Sequence, residues 1–389
     1  MDIPQGYKQT ELGIIPEDWE IVNLGSVAKI NGRIGFRGYT TADLVGVGQG
    51  AYTIGGKHIT NMVLDLHDAE YISWQKYYES PEIMVRKGDI VFAQRGTLGK
   101  SAFIVNDIGP ATINPSLVLI NKIKCDNEYL SYWLQCDKIV EYICSINSQT
   151  SIPMITQNQI EHIPVVLSRI KAEQQAIAEA LGDIDGLIAT LDKKIAKKRL
   201  IKQGAMQQLL TGKKRLPGFS DPWVEKKFSD LYRYASEGGT PDTNNMRFYA
   251  NGDVPFVKIE DTETKYIESC NSFITSEGIN NSSAWIVPVN SIIYTNGATI
   301  GNVSINKIPV ATKQGILGII PSSIINLEFM YYLLLSQNFK REVDSRQAKG
   351  TFATIILKSL DEIPIYLPLN QMEQIAIATI LSDMDKELS

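Results

Sequence analysis

The sequence predicts two repeated domains of mixed α/β, β-rich character, separated by long helices that form an antiparallel coiled coil. Three observations lead there. The chain repeats itself at a constant offset, each copy strings short β-like segments between Gly, Asn and Pro clusters, and an apolar seam with helical spacing joins the copies. At 389 residues the chain is long enough for about two domains, each able to bury a core. The boundaries read as 1–168 for the first domain, 169–212 for the central helix, 213–368 for the second domain and 369–389 for a distal helix.

The repeat is clearest where EQIAIATILSDMD at 373–385 matches EQQAIAEALGDID at 173–185. The same register carries Ile163-Pro164 onto Ile363-Pro364, Tyr132 and Leu134 onto Tyr332 and Leu334, and Ala111-Thr112 onto Ala311-Thr312. Upstream it drifts slightly, so that RGTLGK at 95–100 faces NGATIGN at 296–302, and the segment around Trp19 faces that around Trp223. Within each copy, Asp89–Ala93, Leu117–Ile120 and Ser291–Tyr294 carry the branched or alternating residues of strands. The copies agree least at about 30–90 and 235–290, as two related readers with different preferences would.

Between the copies the period changes. Ile177, Leu181, Ile184, Ile188, Leu191 and Ile195 alternate steps of four and three, the seam of a left-handed coiled coil. The register continues through Lys198, Lys202, Ala205 and Leu209, and Gly212 with Pro217 supplies the stop. Such a rod would be about 60 Å long, and each buried seam residue would contribute about 1.5–3 kcal/mol. Its obvious partner is the distal helix, with Ile377, Ile380, Leu381 and Met384 on its apolar face. Because that helix is short, an unpaired stretch is expected near 195–210, open to another chain or to self-association.

Composition limits the function. A net charge of −5 argues against a protein that grips nucleic acid by bulk electrostatics, so any DNA reading must use local basic clusters or a partner's charge. No signal peptide and no apolar run of spanning length is visible, and the chain reads as cytoplasmic with no membrane partner. Cys125, Cys136, Cys144 and Cys270 lack paired spacing, and His58, His67 and His162 are scattered, so no metal site is expected and the thiols read as reduced and mostly buried.

The motifs for chemistry are weak. Asp221-Pro222-Trp223 lacks the second proline of a methyltransferase tetrad and is matched by Glu17-Asp18-Trp19 at the opening of the first copy. Gly46-x-Gly48-x-Gly50 precedes a strand-like Ala51–Ile54 rather than a helix, so a turn is the better reading than a phosphate loop. No catalytic residue is assigned. The basic run Lys193-Lys194, Lys197-Lys198-Arg199, Lys202, followed by Lys213-Lys214-Arg215, is either a solvated helix face or a ridge facing phosphate or a partner.

Side chains suited to reading base edges fall at matching places in both copies. The first has Arg33, Arg37, Lys57, His58, Gln94, Arg95 and Lys100, with Gln149, Thr150 and Ser151. The second has Thr240, Asn244, Asn245, Arg247, Lys258, Asn296, Asn302, Arg346, Lys349 and Thr351. Arginine can pair bidentately with guanine, and Asn or Gln with adenine, at about 1–3 kcal/mol of discrimination per pair. An interaction scaffold, whose β-rich ends bind proteins instead of DNA, is the alternative that the acidic balance favours.

With these residues in view, the chain resembles the specificity (S) subunits of type I restriction–modification enzymes over nearly its whole length. The most specific piece is Lys202-Gln203-Gly204-Ala205-Met206-Gln207-Gln208-Leu209-Leu210-Thr211-Gly212-Lys213, similar to the end of that family's central conserved helix. Pro16-Glu17-Asp18-Trp19, Gly238-Gly239-Thr240-Pro241, Glu173-Gln174 and Glu373-Gln374 support it. The resemblance implies two target-recognition domains, each reading half of a split, asymmetric site in double-stranded DNA, with the helical spacer fixing their separation. It also implies modification subunits that bind S-adenosylmethionine and methylate adenine, and restriction subunits that use ATP and Mg to translocate DNA, so that this chain binds no cofactor itself. Members usually carry a second long helix ending in another Leu-Leu-Thr-Gly-like segment, which this sequence does not show.

Overall fold

The computed structural model describes residues 3–147, 153–347 and 354–388. It divides into two compact units, Met1–Ala189 and Thr190–Ser389.

Unit 1 is built on two sheets. The first is wholly antiparallel, ordered Ser101–Phe103, Ile90–Ala93, Leu117–Asn121, Lys29–Gly32. The two middle strands are buried on both faces, which is why they read as continuous apolar runs instead of alternating ones. Alternation sorts their side chains. Ile90, Phe92, Val118 and Ile120 pack toward the helices, while Val91, Ala93, Leu117 and Leu119 pack toward the second sheet. That sheet is ordered Ala111–Ile113, Gly50–Ile54, Glu70–Ser73, Leu44–Val45, with its first pair parallel. The strand expected after the glycine cluster is thus present, and Gly48 takes a φ of 77° in the turn before it. Helix α1, Asn127–Trp133, follows, capped by the Asp126 carboxylate accepting from the Tyr129 N–H.

Helix α2 spans Lys171–Leu209, 39 residues or about 58 Å. It ends where sequence placed its stop, with Gly212 at a φ of 67° and lying against the Trp223 ring, where a Cβ would crowd the indole at 3.1 Å.

Unit 2 repeats the plan. Its main sheet is ordered Tyr232–Glu237, Ile316–Pro321, Ile292–Thr295, Val303–Asn306, with Tyr266–Ile267 added in parallel at the far edge. Ile292, Tyr294, Leu317 and Ile319 face the helices, and Ile293 and Ile316 face Val257 and Val287 on the other side. Helix α3, Leu327–Leu334, is capped by Asn326 as α1 is by Asp126. The distal helix α4 spans Gln371–Lys386.

Inside unit 2, the end of α2 and α4 pair antiparallel. Lys198 meets Glu387 and Lys202 meets Asp385, while Ala205, Met206 and Leu209 join the core that holds Ile377, Leu381 and Met384. This corrects the expectation of an unpaired stretch at 195–210: residues 198–210 are the covered part. The exposed seam lies earlier, at Leu181, Ile184, Ile188, Leu191 and Ile195, while Ile177 is half-buried. The reason is the anchor at the start of α4. The Arg215 guanidinium donates from Nε and Nη2 to the two oxygens of buried Glu373, at 2.6 and 2.9 Å. A helix of 16 residues starting beside Arg215 reaches back about 24 Å, no further than Lys198.

Candidate nucleic-acid interface

The duplication extends to individual hydrogen bonds. Gln94 donates its N–H to the Ser116 carbonyl and accepts from the Ile155 N–H; Asn296 donates to the Gly315 carbonyl and accepts from the Ile355 N–H. Five residues further on, Gly99 donates to the Ala93 carbonyl and Gly301 to that of Thr295. Between them, Gly96 and Ala298 both take positive φ, 78° and 50°. Each unit therefore presents the same tight loop at the end of a fully buried strand, and that rigid strand fixes where the loop points. Each loop is bridged to a later segment of its own unit, Arg95 to Met154 and Gly297 to Thr354.

The side chains on this shared frame differ. In unit 1 the loop carries exposed Arg95 and Lys100. Arg95 lines a cleft of about 530 Å³ with Gln94, Pro115 and Gln157, and a second of about 350 Å³ with Lys57, Glu70 and Asn114. Arg37, 3.5 Å from Glu82, and Lys57, 3.2 Å from Asp68, stand partly exposed in the same unit. In unit 2 Thr240, Asn244 and Arg247 are exposed, and Lys258 is half-buried. Asn245 is used as a cap, accepting from the Arg247 N–H. Asn302 donates to Thr262, and Arg346 pairs with Glu342 one helical turn away.

Three of the residues read from sequence as base readers are buried, Arg33 and His58 in the walls of these two clefts. Arg33 is buried, donating to the Ile113 carbonyl and to Thr112 with its guanidinium 5.2 Å from the Tyr39 ring. His58 is buried; its Nδ1 accepts the Gly55 N–H at 2.9 Å, and burial, helped by neighbouring Lys57, pushes its pKa below the ordinary value. Asn296 is buried with its amide donating to Ile355, leaving Oδ1 without a hydrogen-bond partner. Gln149, Thr150, Ser151, Lys349 and Thr351 fall outside the described residues.

The basic run also divides. Lys198, Lys202 and Arg215 are engaged by the acids of α4, whereas Lys193, Lys194, Lys197 and Arg199 are exposed. Burial pushes the Cys125 thiol up to about 11 and that of Cys270 up to about 12, which keeps both protonated and unreactive; Cys144 is exposed. Among the described residues no group of three or more His, Cys, Asp or Glu is placed to hold a metal ion. No described helix is long and apolar enough to cross a membrane.

Sequence reasoning missed a second repeated set. The Gln174 side chain accepts from the Asp126 N–H and donates to the Ser168 carbonyl; Gln374 accepts from Asn326 and donates to Pro368. Tyr132 donates to Asp185 and Tyr332 to Asp385, each at 2.7 Å. The signal was present, since the Gln, the Tyr and its Asp acceptor recur in the one register, but nothing local marks a helical Gln as a clamp.

Comparison with known proteins agrees with this geometry. The profile of the type I restriction modification DNA specificity domain matches twice, at residues 16–198 and 220–389. A protein of Methanocaldococcus jannaschii assigned as the MjaX specificity subunit of a type I restriction enzyme is 26% identical over 98% of this chain and 90% of its own length. The MjaVIII specificity subunit of the same organism is 25% identical over 98% and 89%. Among solved structures, a chain from a type I restriction–modification assembly superposes with a TM-score of 0.61 at 17% identity, over 96% of this chain and 91% of that one. The type I S subunit of M. genitalium gives 0.57 at 15%, over 100% and 92%. Duplicated units, a long intervening helix and a family match over most of both copies lead to one conclusion: the chain belongs to the type I restriction modification DNA specificity family and is a specificity subunit with two target-recognition domains.

Proposed function

We propose that each unit reads one half of a bipartite, asymmetric site in double-stranded DNA, that the helices fix the spacer between the halves and dock the modification subunits, and that this chain performs no chemistry. The observation that carries the reading is the repeated loop after the buried strand. Its backbone is the same in both units, while its residues change from Arg95 and Lys100 to Gly297 and Asn302. A conserved frame with exchanged side chains is what two readers of different sequences require. On this reading S-adenosylmethionine, ATP and Mg act on the modification and restriction subunits, whose surfaces would also offset the net charge of −5.

The test is the pattern of methylated adenines in host DNA with and without the gene, then with Arg95→Ala. The methylated sites should share two half-sequences separated by a constant spacer. Arg95→Ala should weaken selection at one half only, by roughly 5- to 150-fold per contacted base pair. Equal loss at both halves, or methylation unaffected by deletion of the gene, would overturn the proposal.

A further inference from the structure

A second repeated element stands beside each loop, and its exposed residue changes sign between the units. In unit 1 the strand Gly50–Ile54, parallel to Ala111–Ile113, runs into a short helical turn at Gly56–His58. The Gly55 N–H donates to His58 Nδ1 at 2.9 Å, and the Ile54 carbonyl accepts from the Asn114 N–H at 2.8 Å. In unit 2 the strand Val254–Val257, parallel to Val310–Thr312, runs into the turn Ile259–Thr262. There the Lys258 N–H donates to Asp261 Oδ2 at 2.8 Å, and the Val257 carbonyl accepts from the Lys313 N–H at 3.1 Å. His58 and Asp261 thus hold the same place in the frame, as the acceptor that closes the turn. The position before it, Lys57 in one unit and Glu260 in the other, is exposed in both. Each turn borders the repeated loop of its own unit. Lys57 lines the cleft of about 350 Å³ with Arg95 and Thr97, and the Asn302 amide donates to the Thr262 hydroxyl at 3.1 Å.

With double-stranded DNA read by each unit, a carboxylate beside the loop is repelled by phosphate, so bulk attraction does not account for it. What suits it is the major-groove edge of cytosine, whose N4 amino group donates; guanine O6 and thymine O4 would set acceptor against acceptor. Lysine has the opposite preference and donates to guanine O6 and N7. The contact of Lys57 with Asp68, at 3.2 Å, is an exposed ion pair that DNA displaces at little cost. We propose that Glu260 is a specificity-determining residue of unit 2, accepting from a cytosine N4, and that Lys57, at the same place in unit 1, selects guanine. The inference rests on the two-half reading above and adds the base that each turn selects.

The test is the map of methylated adenines in cells carrying the assembled enzyme with Glu260→Gln or Lys57→Glu. Glutamine both donates and accepts. Glu260→Gln should therefore lower the preference for cytosine by roughly 5- to 150-fold at one position of the half that Arg95→Ala leaves alone. Lys57→Glu should exchange guanine for cytosine at one position of the other half. Both residues are exposed, so each variant should keep the thermal unfolding of the parent chain. Half-sequences unaltered by Glu260→Gln, while Arg95→Ala still changes one half, would overturn this inference and keep the two-half reading; methylation independent of the gene would remove both. Binding of the assembled Glu260→Gln enzyme that rises equally on every labelled duplex, read by anisotropy, would make Glu260 a repelling charge only and overturn the inference as well.

Discussion

Replacing Arg215 by alanine should destabilise unit 2 more than any surface ion pair could. Glu373 is fully buried and its carboxylate accepts from Arg215 Nε and Nη2 at 2.6 and 2.9 Å and from the Trp223 indole N–H at 3.2 Å. Removing the guanidinium leaves a charge in the core with one neutral donor, which costs about 3–5 kcal/mol. The Arg215 side chain keeps 28% of its surface, so water can enter the vacated space and the lower figure, about 3 kcal/mol, is expected. With a urea dependence of about 2 kcal/mol/M, the unfolding midpoint should fall by about 1.5 M. The Trp223 ring, 5.9 Å from the guanidinium, gives the fluorescence signal. Glu373→Gln in the Arg215→Ala background should recover part of the loss, because an amide accepts from Trp223 without a buried charge. A midpoint shift below about 0.3 M, or a double variant no more stable than Arg215→Ala, would refute the assignment of this pair as the anchor of α4.

Three further outcomes are expected. Inserting seven helix-forming residues after Lys194, about two turns or 10 Å, should lengthen the DNA spacer by about three base pairs without altering either half-sequence; mapping methylated sites checks it. Ile184→Asp with Leu191→Asp should abolish co-purification with modification subunits while circular dichroism and thermal unfolding stay close to those of the parent, since both side chains are exposed. His58 has its pKa lowered by burial, so the unfolded chain binds the proton more readily; stability is complete above about pH 6.5 and falls as the pH drops toward the depressed value. His58→Asn should flatten that part of the stability–pH curve measured by urea unfolding.

The sequence by itself determined the duplication, the long helix and the residues that would build each core. These are periodic properties: steps of three and four, and apolar runs of strand length, survive without coordinates because burial demands them wherever the chain goes. The turn at Gly48, the stop at Gly212 and the strand at Gly50–Ile54 were legible for the same local reason. What only the tertiary structure decided was which members of a suitable residue class face outward. Arg33 and Arg95 are alike in sequence, yet one is buried under hydrogen bonds to Thr112 and Ile113 and the other stands on an exposed loop. The heptad spacing likewise gave the seam but not its covered part, because that depends on the contact between Arg215 and Glu373, which lie 158 residues apart. Periodicity is carried by neighbours along the chain. Pairing across such a distance is fixed only when the whole core closes, and there the helix that finds a partner, and the face left without one, are settled.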